Sequence, residues 1–66
     1  MTQLGAKIRE ARLEKKLSQE KLAGLLHVNR RTVGAWETGT NEPSVDMLYR
    51  IMDVLGCDAN YLFGIN

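Results

Sequence analysis

The chain holds one cysteine, one histidine and one proline among its 66 residues, and its charges nearly cancel, at +1. A single cysteine, Cys57, allows no internal disulfide framework and fits a reducing compartment. Set between Gly56 and Asp58, it reads as a small apolar filler rather than a redox or metal group, because buried thiols usually behave as hydrophobes. His27 has no second imidazole with which to complete a zinc site, so it reads as a turn residue and no metal is expected. No apolar run reaches membrane-spanning length and the amino terminus lacks the shape of a signal peptide, so a cytoplasmic location without membrane contact is expected. There is no acid–base pair, nucleophile–histidine set or phosphate-cradling glycine loop, and therefore no enzyme, cofactor or small-molecule substrate is expected. The length predicts one domain over residues 1–66 that buries only about 60% of its unfolded surface, too little to enclose a substrate cleft beside a core.

The small net charge hides a strong asymmetry. Residues 1–31 hold eight basic side chains (Lys7, Arg9, Arg12, Lys15, Lys16, Lys21, Arg30 and Arg31) against three acids, whereas residues 32–66 hold Arg50 against five acids. That division fits a basic face for phosphate and an acidic back that limits loose association. A merely solvated helix surface accounts for the charge equally well, so the charge takes its meaning from the motifs around it.

Strand-like alternation, internal repeats and low-complexity stretches are absent, and the apolar spacing predicts five helices in an all-α fold. The first spans about Gln3 to Lys16, with Leu4, Ile8 and Ala11 inward and Leu17 closing the core end. Ser18 caps a second helix to about Leu26, with Leu22, Ala23 and Leu26 on one face. His27 and Val28 make a turn, and Asn29 caps a third helix to about Thr38, with Val33 and Trp36 inward; Trp36 reads as a core anchor. Gly39 is a left-handed stop before the polar loop Thr40-Asn41-Glu42-Pro43. Ser44 caps a fourth helix with Val45, Leu48, Ile51, Met52 and Leu55 inward, ended by Gly56. Asp58 caps a short fifth helix, stopped by Gly64.

Residues 18–38 therefore form two short helices joined by a tight turn. The outer face of the second carries Arg30, Arg31, Gly34, Ala35 and Thr38. Two arginines at a helix start oppose the positive end of the helix dipole, which is a poor way to stabilise a fold and a good way to meet an anion. This geometry suits a helix that enters the DNA major groove with its N-terminal residues on base edges. An arginine fork matches the O6 and N7 acceptors of guanine, and the Ala35 methyl suits the methyl of thymine. Arg30 and Arg31 binding phosphate alone is the plainer alternative. Gly34 is read either as a point of close approach to the duplex or as tolerated drift, and Thr32 as a partner of a phosphate or a base edge.

IREARLEKKLSQEKLA, WETG, EPS and DMLYRIMDVLG with YLFG together resemble the Cro-type, lambda-repressor-like helix-turn-helix family of bacterial and phage transcriptional regulators, over essentially the whole chain. The resemblance implies a compact five-helix domain that binds a double-stranded operator, most simply as a repressor, with homodimers on palindromic sites. It implies that Arg30, Arg31 and Ala35 contact bases. Gln19 matches the family's glutamine, whose amide is used on a phosphate and sometimes braces the recognition helix. Arg12 and Glu37 match a buried ion pair. Two departures stand out: His27 occupies the turn position that is usually glycine, and Glu42 stands where many relatives are basic. Backbone contacts from that loop then fall to Thr40 and Asn41 through neutral hydrogen bonds, beside Thr32 and Thr38. A protein-interaction module such as an antitoxin, or the DNA-binding half of a longer regulator, remain alternatives.

A palindrome needs a pairing surface, because one recognition helix reads too few base pairs to select a site in a genome. Tyr61, Phe63 and Ile65 add more apolar surface than the fifth helix can turn inward. The plainer alternative is that Leu62 and Phe63 simply close the monomer core, which makes Tyr61 and Ile65 the preferred dimer-interface candidates.

Overall fold

A computed structural model describes residues 3–65. Five helices follow one another: α1 Gln3–Glu14, α2 Gln19–Leu26, α3 Arg30–Thr38, α4 Val45–Leu55 and α5 Ala59–Phe63. Their starts lie where the capping residues put them. The side chains of Ser18, Asn29, Ser44 and Asp58 accept from the backbone N–H of Lys21, Arg31, Met47 and Tyr61. Each supplies a partner for an amide that the helix cannot satisfy internally.

The helix ends share one geometry, a left-handed residue followed by a backbone bond reaching five residues back. For α2 this bond runs from Val28 N to Ala23 O at 2.9 Å, and for α3 from Thr40 N to Ala35 O at 2.9 Å. Glycine occupies the left-handed position after α3, α4 and α5, but Lys16 and His27 occupy it after α1 and α2, at φ 59° and 60°. A Cβ makes that conformation unfavourable, so these two caps carry backbone strain that the glycine caps avoid. Lys16 also corrects the expected end of α1. The lysine does not continue the helix; it reverses the chain, and Leu17 N bonds Arg12 O at 3.1 Å.

Ile8, Leu22, Leu26, Val33, Ile51 and Leu62 are fully buried, and Ala11, Ala23, Trp36 and Leu55 complete the core. All five helices thus contribute to one cluster, and Leu4, Leu17, Leu48, Met52, Cys57 and Tyr61 pack against its edge. Val45 departs from the expectation that it points inward: it is 68% exposed. As the first residue of α4, directly after the Ser44 cap, it precedes the turn that meets the core. Cys57 is half-buried, and burial, followed by the adjacent Asp58 carboxylate, raises its thiol pKa.

Arg50, the one basic residue of the second half, takes part in holding the fold. Its Nη2 donates to Leu26 O at 2.6 Å, so α4 satisfies an end carbonyl of α2 at the start of the inter-helix turn. The end of α2 is in this way tied to α4.

Candidate nucleic-acid interface

The side chains that meet at the junction of α1, α2 and α3 form a continuous polar chain. Arg12 Nε donates to Glu37 Oε2 at 2.7 Å and Nη2 to Glu37 Oε1 at 3.1 Å, a two-pronged contact between side chains only 8% and 3% exposed. A third donor of the same guanidinium, Nη1, reaches Leu17 O at 2.7 Å. Gln19 Nε2 then donates to Glu37 Oε1 at 3.0 Å, and Gln19 Oε1 accepts from Arg30 Nη1 at 3.4 Å. The buried charge pair therefore holds the amide, and the amide in turn meets the first arginine of α3. Both ends of the Gln19 amide are engaged within the domain. Its position is that of a brace on Arg30.

Arg30 and Arg31 are both exposed, at the first two positions of α3. Asn29 Oδ1 accepts from Arg31 N at 3.1 Å, which fixes the helix start that carries them. Thr32 and Ala35 are half-buried along the same helix, and Thr38 is exposed at its end. Gly34 lies against Gln19: a Cβ built there would sit 3.8 Å from Gln19 Oε1, an ordinary contact, so this packing does not itself demand glycine. The Thr38 hydroxyl is 3.1 Å from Gly34 O and 3.0 Å from Thr40 Oγ1, which links the helix end to the exposed loop of Thr40, Asn41 and Glu42.

The two dimer candidates at the other end of the molecule differ in placement. Ile65 is 59% exposed, but Tyr61 is half-buried against α1, with Lys7 Nζ 4.9 Å from its ring centroid. Its hydroxyl is buried without a hydrogen-bond partner among the described residues. Burial first, then the charges of Glu10 and Glu14, push its pKa up to about 12. The ring packs at the edge of the core beside α1 of its own chain. Phe63, for which burial was the plainer alternative, is 47% exposed beside Val45, Leu48, Tyr49, Met52 and Ala59, which line an open apolar groove of about 270 Å³ between α4 and α5. The short α5 turns Leu62 inward and presents its neighbour outward.

Among the described residues no helix is long and apolar enough to cross a membrane, and no group of three metal-ligating side chains comes together. What stands out instead is the pair of capped helices set by a tight turn, with cations on the outer face of the second. Comparison with known proteins agrees with that geometry: the helix-turn-helix family model matches residues 8–62. The chain belongs to the helix-turn-helix family. It is 42% identical over 50 residues to an Aeropyrum pernix protein named as an inferred HTH-type transcriptional regulatory protein, covering 76% of this chain. It is 29% identical over 58 residues, 88% of this chain, to YonR of Bacillus subtilis, an uncharacterized SPbeta prophage-derived HTH-type transcriptional regulator. The chain spans 15% of the length of the first relative and 54% of the second. No solved structure gives a significant match.

The resemblance anticipated that Gln19 braces the recognition helix, but not that Arg30 is the residue it meets, since residues eleven apart carry no local pairing signal. Arg50 was missed as a structural residue for the same reason: its partner is a backbone carbonyl on another helix.

Proposed function

We propose that this helix-turn-helix domain is the sequence-specific DNA-binding unit of a transcriptional repressor, with α3 in the major groove of a palindromic operator. The observation that carries this reading is the exposed Arg30–Arg31 pair at the capped start of α3, with Arg30 held by Gln19. An exposed, oriented guanidinium fork at a helix start has the reach to engage guanine O6 and N7, worth about 1–3 kcal/mol of discrimination. Ala35, one turn on, offers its methyl to a thymine. Thr32, Thr38, Thr40 and Asn41 offer neutral hydrogen bonds to backbone phosphates, which set register without reading sequence. The names of both relatives favour transcriptional regulation, and that of the Bacillus subtilis protein favours an origin on a mobile element.

Two copies act together on this reading. Repression of a single site needs more sequence than one α3 can read, and a palindrome doubles it, with half-site centres about 34 Å apart. Exposed Phe63 and Ile65, with Val45 and Tyr49 of α4, offer apolar surface to a second copy of the chain. Analytical ultracentrifugation with a palindromic duplex, selected by the protein from a random pool, checks the stoichiometry. Two protomers per duplex are expected, with Phe63→Ser weakening the second binding event. One protomer saturating the whole palindrome contradicts the dimer.

A further inference from the structure

We infer that Arg9 supplies the cation of a phosphate seat beside α3, in the cleft it lines with Gln19 and Thr38; the inference rests on the DNA-binding reading above. Arg9, Ala6, Gln19, Glu37 and Thr38 line one cleft of about 370 Å³ where α1 meets the end of α3. The carboxylate in this cleft is already neutralised. Glu37 is buried, paired with Arg12 at 2.7 Å and bonded by Gln19 at 3.0 Å, so it leaves no negative charge for Arg9 to balance.

Arg9 itself is exposed. Among the described residues the ion pairs are Lys7–Glu10 and Arg12–Glu37, and neither uses it. Its own helix offers no alternative: Gly5, Ala6, Arg12 and Leu13 occupy the positions three and four residues away, where a helical salt bridge would need an acid. Arg12 at the same junction is committed to Glu37, and Arg30 does not line this cleft. The cleft thus holds one uncommitted cation beside the small side chain of Ala6, while the Gln19 amide is bonded to Glu37 and Arg30 and the Thr38 hydroxyl to Gly34 O and Thr40.

Its position adds the ligand. Gln19 lines the cleft and also holds Arg30, so the cleft borders the face of α3 that meets DNA. An anion seated there on a bound duplex is a phosphate of the backbone flanking the groove. Such a contact positions the domain and displaces counterion, but reads no base.

The test is a salt series of binding to two duplexes of equal length, one bearing the sequence selected by the wild-type protein and one unrelated, for wild type, Arg9→Ala and Arg9→Lys. Circular dichroism verifies that the variants fold, which the exposure of Arg9 makes the expected result. Arg9→Ala is expected to weaken binding to both duplexes and to flatten the log–log salt slope by about 0.9, so that a fourfold rise in salt weakens it roughly three- to fourfold less than wild type. Arg9→Lys is expected to restore the slope. A wild-type slope and affinity in Arg9→Ala would overturn the seat alone. Failure of the wild-type protein to bind any duplex would overturn the seat together with the DNA-binding reading.

Discussion

Glu37→Ala is expected to be largely unfolded at ambient temperature, or to melt tens of degrees below wild type. The substitution leaves the Arg12 guanidinium buried, with Leu17 O as its remaining partner, and removes the acceptor of the Gln19 amide. Breaking one side of a buried ion pair is worth about 3–5 kcal/mol, because the surviving charge stays out of water without its partner. A domain of this size has little more than about 5 kcal/mol in total. Glu14→Ala is the comparison: Glu14 is exposed and outside the ion pairs of the described residues, so a shift near zero is expected. Thermal and urea unfolding of both variants check this. Similar midpoints for the two would mean that the buried pair does not hold α1 to α3.

Gly5→Ala is expected to destabilise strongly although Ala is the better helix former. A Cβ at Gly5 would overlap the carbonyl oxygen of Trp36 and lie 2.8 Å from that of Glu37. Those atoms belong to the last turn of α3. The Trp36 carbonyl is further fixed by the Gly39 N–H at 3.2 Å, so it cannot swing aside as a flexible side chain would. The two helices must part instead, at a cost of about 1–3 kcal/mol for the overpacking alone. The same movement pulls Arg12 away from Glu37, which adds to the loss. At about 4–8 °C per kcal/mol in a domain of this length, the melting temperature should fall by roughly 5–20 °C. Gly24→Ala gives the opposite sign, because nothing within 4 Å opposes a Cβ there and the helix gains about 0.5–1 kcal/mol. A Gly5→Ala variant as stable as wild type would contradict the close approach of α1 to the end of α3.

These two sites mark where the sequence is and is not readable. The starts of α2 to α5 were legible because a capping side chain is a local signal: Ser18, Asn29, Ser44 and Asp58 each bond an amide two or three residues on. Ends marked by Gly39, Gly56 and Gly64 were legible for the same reason. The end of α1 was not, since Lys16 adopts a left-handed conformation that its residue type disfavours. Gly5 gave no signal either. Within a helical period it looks like any small residue, and its requirement comes from carbonyls more than thirty positions away in the chain. Val45 is exposed against expectation, and the placement of Phe63 stayed open, because periodicity identifies an apolar stripe but not where a short helix first meets its neighbours. At the interface, the identity of the outward residues on α3 was readable from period alone, whereas the bridge from Glu37 through Gln19 to Arg30 belongs to the tertiary structure.

The central claim is that α3 reads bases with the arginines at its start, and binding to a panel of single-base changes in a selected operator tests it most directly. Wild type, Arg30→Ala and Arg31→Ala are each measured against every panel member at one fixed salt concentration, since affinity at different salt cannot be compared. Wild type is expected to discriminate by about 1–3 kcal/mol at the guanine each arginine reads. Each variant is expected to lose discrimination at its own position in both half-sites while keeping it elsewhere. If both variants bind more weakly but retain the full wild-type base profile, the two arginines grip only phosphate, and the account of sequence reading by α3 is wrong.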